Sequence, residues 1–225
     1  MILELATFHL DSVKLAEKLG IKRLELCENY SQGGVTPSVE FFKKAKAIYS
    51  GKIFVMIRPR SGDFIFSDEE FEVMLNSVRE YKQLDVDGFV SGFLRKDHSI
   101  NECQLEKFAA VCAPLPFTFH RAFDLIPDWK FAMDLLINLG CKRILSSGNA
   151  NTAIEGLTRL KEMKAYANDK LIILPGGGIR SSNIIELMHE LHPTEIHTAA
   201  IVNFSDRKEV ADEVELRGVM KMMSE

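Results

Sequence analysis

The chain has 225 residues, 46% of them hydrophobic, and a net charge of −4 at pH 7, which suits one large core or two small ones. Both charge signs are scattered and the balance is slightly acidic, which argues against nucleic acid or an anionic membrane as the partner. No apolar run approaches the roughly 18 residues of a membrane span, and four cysteines without a CxxC pair point to a reduced, cytoplasmic protein.

The first apolar run, 2–6, lacks a basic leader and a cleavage site, so it reads as a strand and not as a signal peptide. Further strands are expected at 23–27, 53–57, 88–90, 117–120, 143–146, 171–174 and 195–198. Helical patterns fall between them near 11–19, 38–49, 68–82, 102–112, 128–138, 151–166 and 181–190, with a last one near 212–223. Asp11-Ser12, Ser38, Ser67-Asp68, Asn101 and Ser181-Ser182 supply helix start signals. Gly20, Gly51, Gly140 and Asn168 supply stop signals. Strand–helix alternation demands parallel strands joined by crossovers. Eight such units without a linker predict an α/β fold, a single-domain (β/α)8 TIM barrel over 1–225. An open doubly wound sheet is the alternative. It would bring a glycine fingerprint after the first strand, where this chain has Ala6-Thr7-Phe8-His9.

Side chains alternate across a strand. The apolar parity should face the helices, which sends Leu3, Leu5, Leu24, Leu26, Ile53, Val55, Phe117, Phe119 and Ile196 outward. The other parity aims Glu4, Glu25, Cys27, Met56, Arg58, Thr118, His120 and His197 into the barrel. A buried charge is costly unless paired. Five strands aiming ionisable groups at one mouth therefore predict a functional pocket. His120 is the candidate acid or base, with Glu25 as its partner base and Glu4, His197 and Asp124 as further catalytic candidates.

The loops add anion chemistry. Arg58-Pro59-Arg60-Ser61-Gly62-Asp63-Phe64 follows the third strand; Arg58 and Arg60, with Arg121, can clamp a carboxylate or phosphate, while a local Arg–Asp pair involving Asp63 would be the plain alternative. Gln32-Gly33-Gly34 permits close backbone approach. Ser147-Gly148 after the sixth strand and Gly176-Gly177 after the seventh offer backbone donors to an anion. Barrels hold phosphate in such late loops. His9 reads as a helix cap, and His98, His189 and His192 as surface residues. Cys103, Cys112 and Cys141 read as small buried hydrophobes, and Met220, Met222 and Met223 as core contacts of the last helix.

Together these residues resemble the CutC family of copper homeostasis proteins. The likeness rests on Glu25-Leu-Cys27 with Gly33-Gly34-Val-Thr-Pro-Ser38, Ile57-Arg-Pro-Arg-Ser-Gly-Asp-Phe64, Ser91-Gly92, Thr118-Phe-His-Arg-Ala-Phe-Asp124, Ser146-Ser-Gly148 and Glu195-Ile-His197. The resemblance implies a cytoplasmic TIM barrel, a homo-oligomer, copper tolerance and copper binding, with Cys27 as the metal ligand. The cysteine that copper-binding relatives carry just after the first strand's Glu is Ala6 here, and the segment 199–213 is shorter than in typical relatives. Cu(I) prefers thiolate and thioether ligands. One Cys and one Met against two Glu, two Arg and two His make a set better suited to a small anionic molecule, or to a harder divalent metal, than to a copper cage. The alternative function is accordingly a TIM-barrel enzyme on a small phosphorylated or carboxylated metabolite, using His/Glu acid–base chemistry.

Overall fold

The computed structural model describes residues 1–202 and 209–224. The strands are β1 (Ile2–Thr7), β2 (Arg23–Leu26), β3 (Lys52–Met56), β4 (Gly88–Ser91), β5 (Phe117–Phe119), β6 (Arg143–Ser146), β7 (Ile172–Pro175) and β8 (Glu195–Thr198). Each is followed by a helix: α1 (Leu10–Leu19), α2 (Val39–Ile48), α3 (Asp68–Lys82), α4 (Glu102–Cys112), α5 (Trp129–Asn138), α6 (Leu157–Ala167), α7 (Ile184–Leu191) and α8 (Glu213–Met222). The strands run parallel in the order β7-β6-β5-β4-β3-β2-β1-β8. This is the predicted eight-stranded barrel, nearly closed. Among the described residues no backbone ladder joins β7 to β8. Across that seam Thr198 Oγ1 donates to the Ile179 carbonyl at 3.0 Å.

Parity sorts the interior into two layers. Leu5, Leu24, Ile53, Val55, Phe89, Phe117, Phe119, Ile144 and Ile196 are buried between the sheet and the helices. Each such side chain contributes roughly 1.5–3 kcal/mol by leaving water. A second, small apolar cluster of Cys27, Phe54, Met56 and Val90 fills the barrel lumen. Beneath it the floor is ionic. Arg23 pairs with both Glu4 and Glu195, and Arg143 Nε donates to Glu195 Oε2 at 2.7 Å. Both guanidinium groups stack on Phe54, at 5.4 and 5.0 Å from the ring centre.

Several helix starts match their signals. Ser67 and Glu70 form a capping box on α3, and Ser38 and Asn101 cap α2 and α4. The cap of α1 is His9, as expected: its Nδ1 accepts from the Asp11 amide, while Ser12 Oγ is engaged by the Ala211 amide at 2.9 Å. Two starts differ from expectation. The expected helix at 181 begins at Ile184, because Glu215 of α8 takes the Ser181 amide and hydroxyl. The one expected at 151 begins at Leu157, because Ala153 donates its amide to the Gly177 carbonyl at 2.9 Å. Cys103 is exposed, not buried; Cys112 and Cys141 are buried as expected. The short segment 199–213 includes 203–208, which lie outside the described residues.

Candidate functional site

A cavity of about 290 Å³ opens at the carboxyl ends of the strands. Its polar lining comes from Glu25, Tyr30, Arg58, His120, Arg121, Arg180, His197 and Thr198, and its apolar lining from Ala6, Phe8, Met56, Phe64, Leu145 and Ile179. Arg180 donates to the carbonyls of Ile179 and Ile201, both at 2.9 Å, and pairs with no carboxylate of the described residues. Glu25, Arg58, His120 and His197 sit in or just after β2, β3, β5 and β8, so strand parity brings these four together.

Glu4 lies one layer below. It is registered with Arg23 on β2 and His197 on β8, and it is fully buried. His197 Nδ1 donates to Glu4 Oε1 at 2.8 Å, which turns Nε2 toward Glu25 Oε2 at 3.7 Å. Burial would raise the Glu4 carboxyl, but His197 and Arg23 hold it down at about 2. Burial raises Glu25, and the Glu4 charge adds to it against the pull of His197. Burial opposes protonation of His197, yet Glu25 and Glu4 outweigh it and push the imidazole above its usual range. Both shifts favour protonation in the Glu25–His197 pair, whose facing atoms stand 3.7 Å apart.

His120 behaves in the opposite way. Burial and the Arg58 charge lower it to about 3, so the ring is neutral. Its Nδ1 accepts from the Ala122 amide at 3.2 Å, which leaves the hydrogen on Nε2. The ring packs on Phe64, centroid to centroid 4.8 Å. Gly92 makes room beneath it: a methyl there would stand 2.6 Å from Nδ1.

Arg58 shapes the rim as well as lining the cavity. Its Nη1 donates to the carbonyls of Gln32, Gly33 and Gly34 at 3.1–3.3 Å, and Nη2 to Gly62 at 2.7 Å. The guanidinium stacks on Phe64 at 4.7 Å. Gly33 and Gly34 both adopt positive φ, which aims their carbonyls at the cation. No carboxylate of the described residues lies within 4.0 Å of Arg58.

Other predicted residues are placed elsewhere. Arg60 turns away from the cavity, binding Glu70 Oε1 at 2.5 Å, Asp63 Oδ1 at 3.0 Å and the Ile65 carbonyl at 2.8 Å. Asp63 also accepts from the Ile65 amide, so both residues build the β3–α3 loop. Asp124 lies outside the lining. Its oxygens accept from Ser146 Oγ, the Ser147 amide and hydroxyl, the Asn149 amide and Arg121 Nε. That consumes the loop donors expected to face an anion, and the Gly148 amide goes to Ser146 Oγ at 2.8 Å. Arg121 reaches the rim but spends Nη2 on Ser147 Oγ and the Ala150 carbonyl. The Gly176 amide bonds the Ser146 carbonyl, and Gly177 lines the cavity. Arg23, Arg143 and Glu195 complete the ionic floor and were not predicted. Each lies two positions before a residue of inward parity, so the same alternation identifies them.

The donors do not fit Cu(I). Cys27 Sγ is the one thiol close to the pocket among the described residues. It donates to Glu25 Oε2 at 3.6 Å, and burial plus the Glu25 charge push it well above the usual thiol range. A thiolate is the form that binds metal. The partner position carries Ala6, and no cluster of three His, Cys, Asp or Glu side chains among the described residues is arranged around a metal position.

Three buried polar atoms of residues that line the cavity have no hydrogen-bond partner: Glu25 Oε1, Arg58 Nε and His120 Nε2. Such orphans are rare in folded proteins and cost about 1–3 kcal/mol each.

The chain is similar to known proteins over most of its length. Human copper homeostasis protein cutC homolog is 39% identical over 199 residues, 88% of this chain and 73% of that protein. A CutC family protein of Parabacteroides distasonis is 40% identical over 200 residues, 88% of this chain and 82% of its own. The crystal structure of the putative copper homeostasis protein CutC from Streptococcus agalactiae superposes with a TM-score of 0.84 at 32% identity, covering 88% of this chain and 98% of that one. With the CutC family model also matching residues 1–202, sequence and fold agree that the chain belongs to the CutC family.

Proposed function

We propose that the chain serves copper homeostasis indirectly, as a cytoplasmic homo-oligomer whose barrel mouth takes a small anionic molecule and handles it by acid–base chemistry. The copper role is carried from the relatives' names. The observation that carries the anion reading is the Arg58 cation, buried in the lining with an unpartnered Nε and no carboxylate beside it. Glu25 is the base, and His197 exchanges the proton with it. Glu4 is a positioning residue that fixes the His197 tautomer, and His120 is a neutral donor. A thermal-shift series tests this, because a ligand of the native state alone raises apparent stability. Small carboxylates and phosphates should raise the Tm of wild type and not of Arg58→Gln. In parallel, Cu(I) titration against a chelator should give weak binding that Cys27→Ala leaves unchanged. Tight Cu(I) binding lost in Cys27→Ala, with no response to any anion, refutes the proposal.

A further inference from the structure

Resting on that anion reading, we infer that the ligand of the mouth is a small phosphate monoester, its phosphate seated on the turn from Gly177 to Arg180 between the Arg121 and Arg180 guanidinium groups. Both arginines and the whole turn line the cavity. Arg121 spends Nε on Asp124 and Nη2 on Ser147 Oγ and the Ala150 carbonyl, which leaves Nη1 without an acceptor among the described residues. That nitrogen lies against the turn: a methyl built on Gly177 would stand 3.2 Å from it. Arg180 spends Nη1 on the Ile179 carbonyl and Nη2 on the Ile201 carbonyl, which leaves Nε. Gly177 and Ile179 are two residues apart, so the two cations meet the turn within about 7 Å of each other. One phosphate bridges such a gap with a donor on each of two oxygens. The Arg121 side chain is 41% exposed and Gly178 is exposed, so the seat is open to a ligand.

The backbone adds donors. The amides of Gly177, Gly178 and Ile179, between β7 and α7, have no acceptor among the described residues. Turn amides of this kind take up anions. The start of α7 is not the seat, because the Arg180 amide goes to Asn183 Oδ1 at 2.9 Å and the Ser181 amide to Glu215 Oε1 at 2.6 Å. Gly177 has a φ of 98°, and its missing side chain is what lets Arg121 lie against the turn. Charge supports the same class. Arg121 is paired with Asp124, but neither Arg180 nor Arg58 has a carboxylate within 4.0 Å among the described residues. Two such cations suit a group that carries about −1.5 to −2 near neutral pH better than a carboxylate. The rest of the ester extends across the cavity toward Arg58 and Glu25. A cavity of about 290 Å³ lies at the small end of ligand sites, which limits the ester to a few carbons.

Isothermal titration at pH 7 with glycerol 3-phosphate, glycerate and glycerol tests the assignment. Glycerol 3-phosphate should bind roughly tenfold or more tightly than glycerate, the value of one further hydrogen bond to a charged group, and glycerol should not bind. Arg180→Gln should remove that preference, and Arg180→Lys should restore part of it. Because Arg180 also ties Ile179 to Ile201, a phosphorus NMR titration of the wild-type complex supplies a reading that needs no variant. Two guanidinium groups should lower the second ionisation of bound glycerol 3-phosphate below that of the free ester. Glycerate binding as tightly as glycerol 3-phosphate, a preference that survives in Arg180→Gln, or a bound phosphate that ionises no more readily than the free one overturns the phosphate seat while leaving an anion site. No binding by either anion overturns both.

Discussion

Replacing Glu4 by Gln removes one charge from a buried network and keeps its shape. Glu4 faces Arg23 on one side and His197 on the other, and none of its surface is exposed. Its pKa falls from 4.5 to about 2 in the folded protein, and at 1.36 kcal/mol per pH unit this corresponds to roughly 3 kcal/mol. Breaking a buried pair from one side costs about 3–5 kcal/mol by a separate route, because the abandoned cation stays buried. Both routes predict that Glu4→Gln loses about 3–5 kcal/mol at pH 7, or roughly 6–20 °C in Tm for a domain of this size. Urea unfolding at a series of pH values is the assay. A depressed carboxylate stabilises above its unfolded pKa and loses that contribution as pH falls through its folded one. The gap between wild type and variant should therefore be full at pH 7 and shrink between pH 4.5 and about 2. A loss below about 1 kcal/mol at pH 7, or a gap that widens on acidification, refutes the account of Glu4 as the hinge between floor and pocket.

Histidine NMR separates the two pocket imidazoles: His120 should show no titration between pH 5 and 8, whereas His197 should titrate above the usual histidine range and drop in Glu4→Gln. The His197 contribution to stability is present below its unfolded pKa and declines as pH rises through the folded one. Gly92→Ala should cost about 1–3 kcal/mol in urea unfolding and shift the His120 ring resonances, since the added methyl meets Nδ1 at 2.6 Å. A thiol reagent at pH 8 should modify Cys103 rapidly and Cys27 only on unfolding, because Cys27 is buried and held as a thiol. Fast labelling of Cys27 in the native protein would contradict that protonation state.

Alternation of period two, read on short strands, reached far into the site. It placed Glu25, Arg58, His120 and His197 on one face, and in the structure those four line the cavity. It also contained Arg23, Arg143 and Glu195, which stand at the first positions of β2, β6 and β8, at the opposite end of the strands from the cavity. The loops were less legible. Arg58 and Arg60 stand two apart in the same turn, yet one lines the cavity and the other binds Glu70 of α3. Which partner each finds depends on where α3 and the β2–α2 loop arrive, and no local pattern encodes that. The same holds for Asp124, whose five donors come from residues 121–149 folded around it. The start of α6 moved for a related reason: a backbone bond to the neighbouring loop outcompeted helix propensity.

The quartet under Phe54 constrains how this barrel can change over generations. A single change that removes the charge of Glu4, Arg23, Arg143 or Glu195 strands an opposite charge in a place water does not reach. Replacing all four with well-packed apolar side chains is often neutral or even stabilising. The two acceptable versions of the floor are thus separated by a valley of unstable intermediates. Lineages that begin with the ionic floor are held there by the order in which mutations arrive, and Glu4 is held most firmly because His197 above it would lose its orientation at the first step.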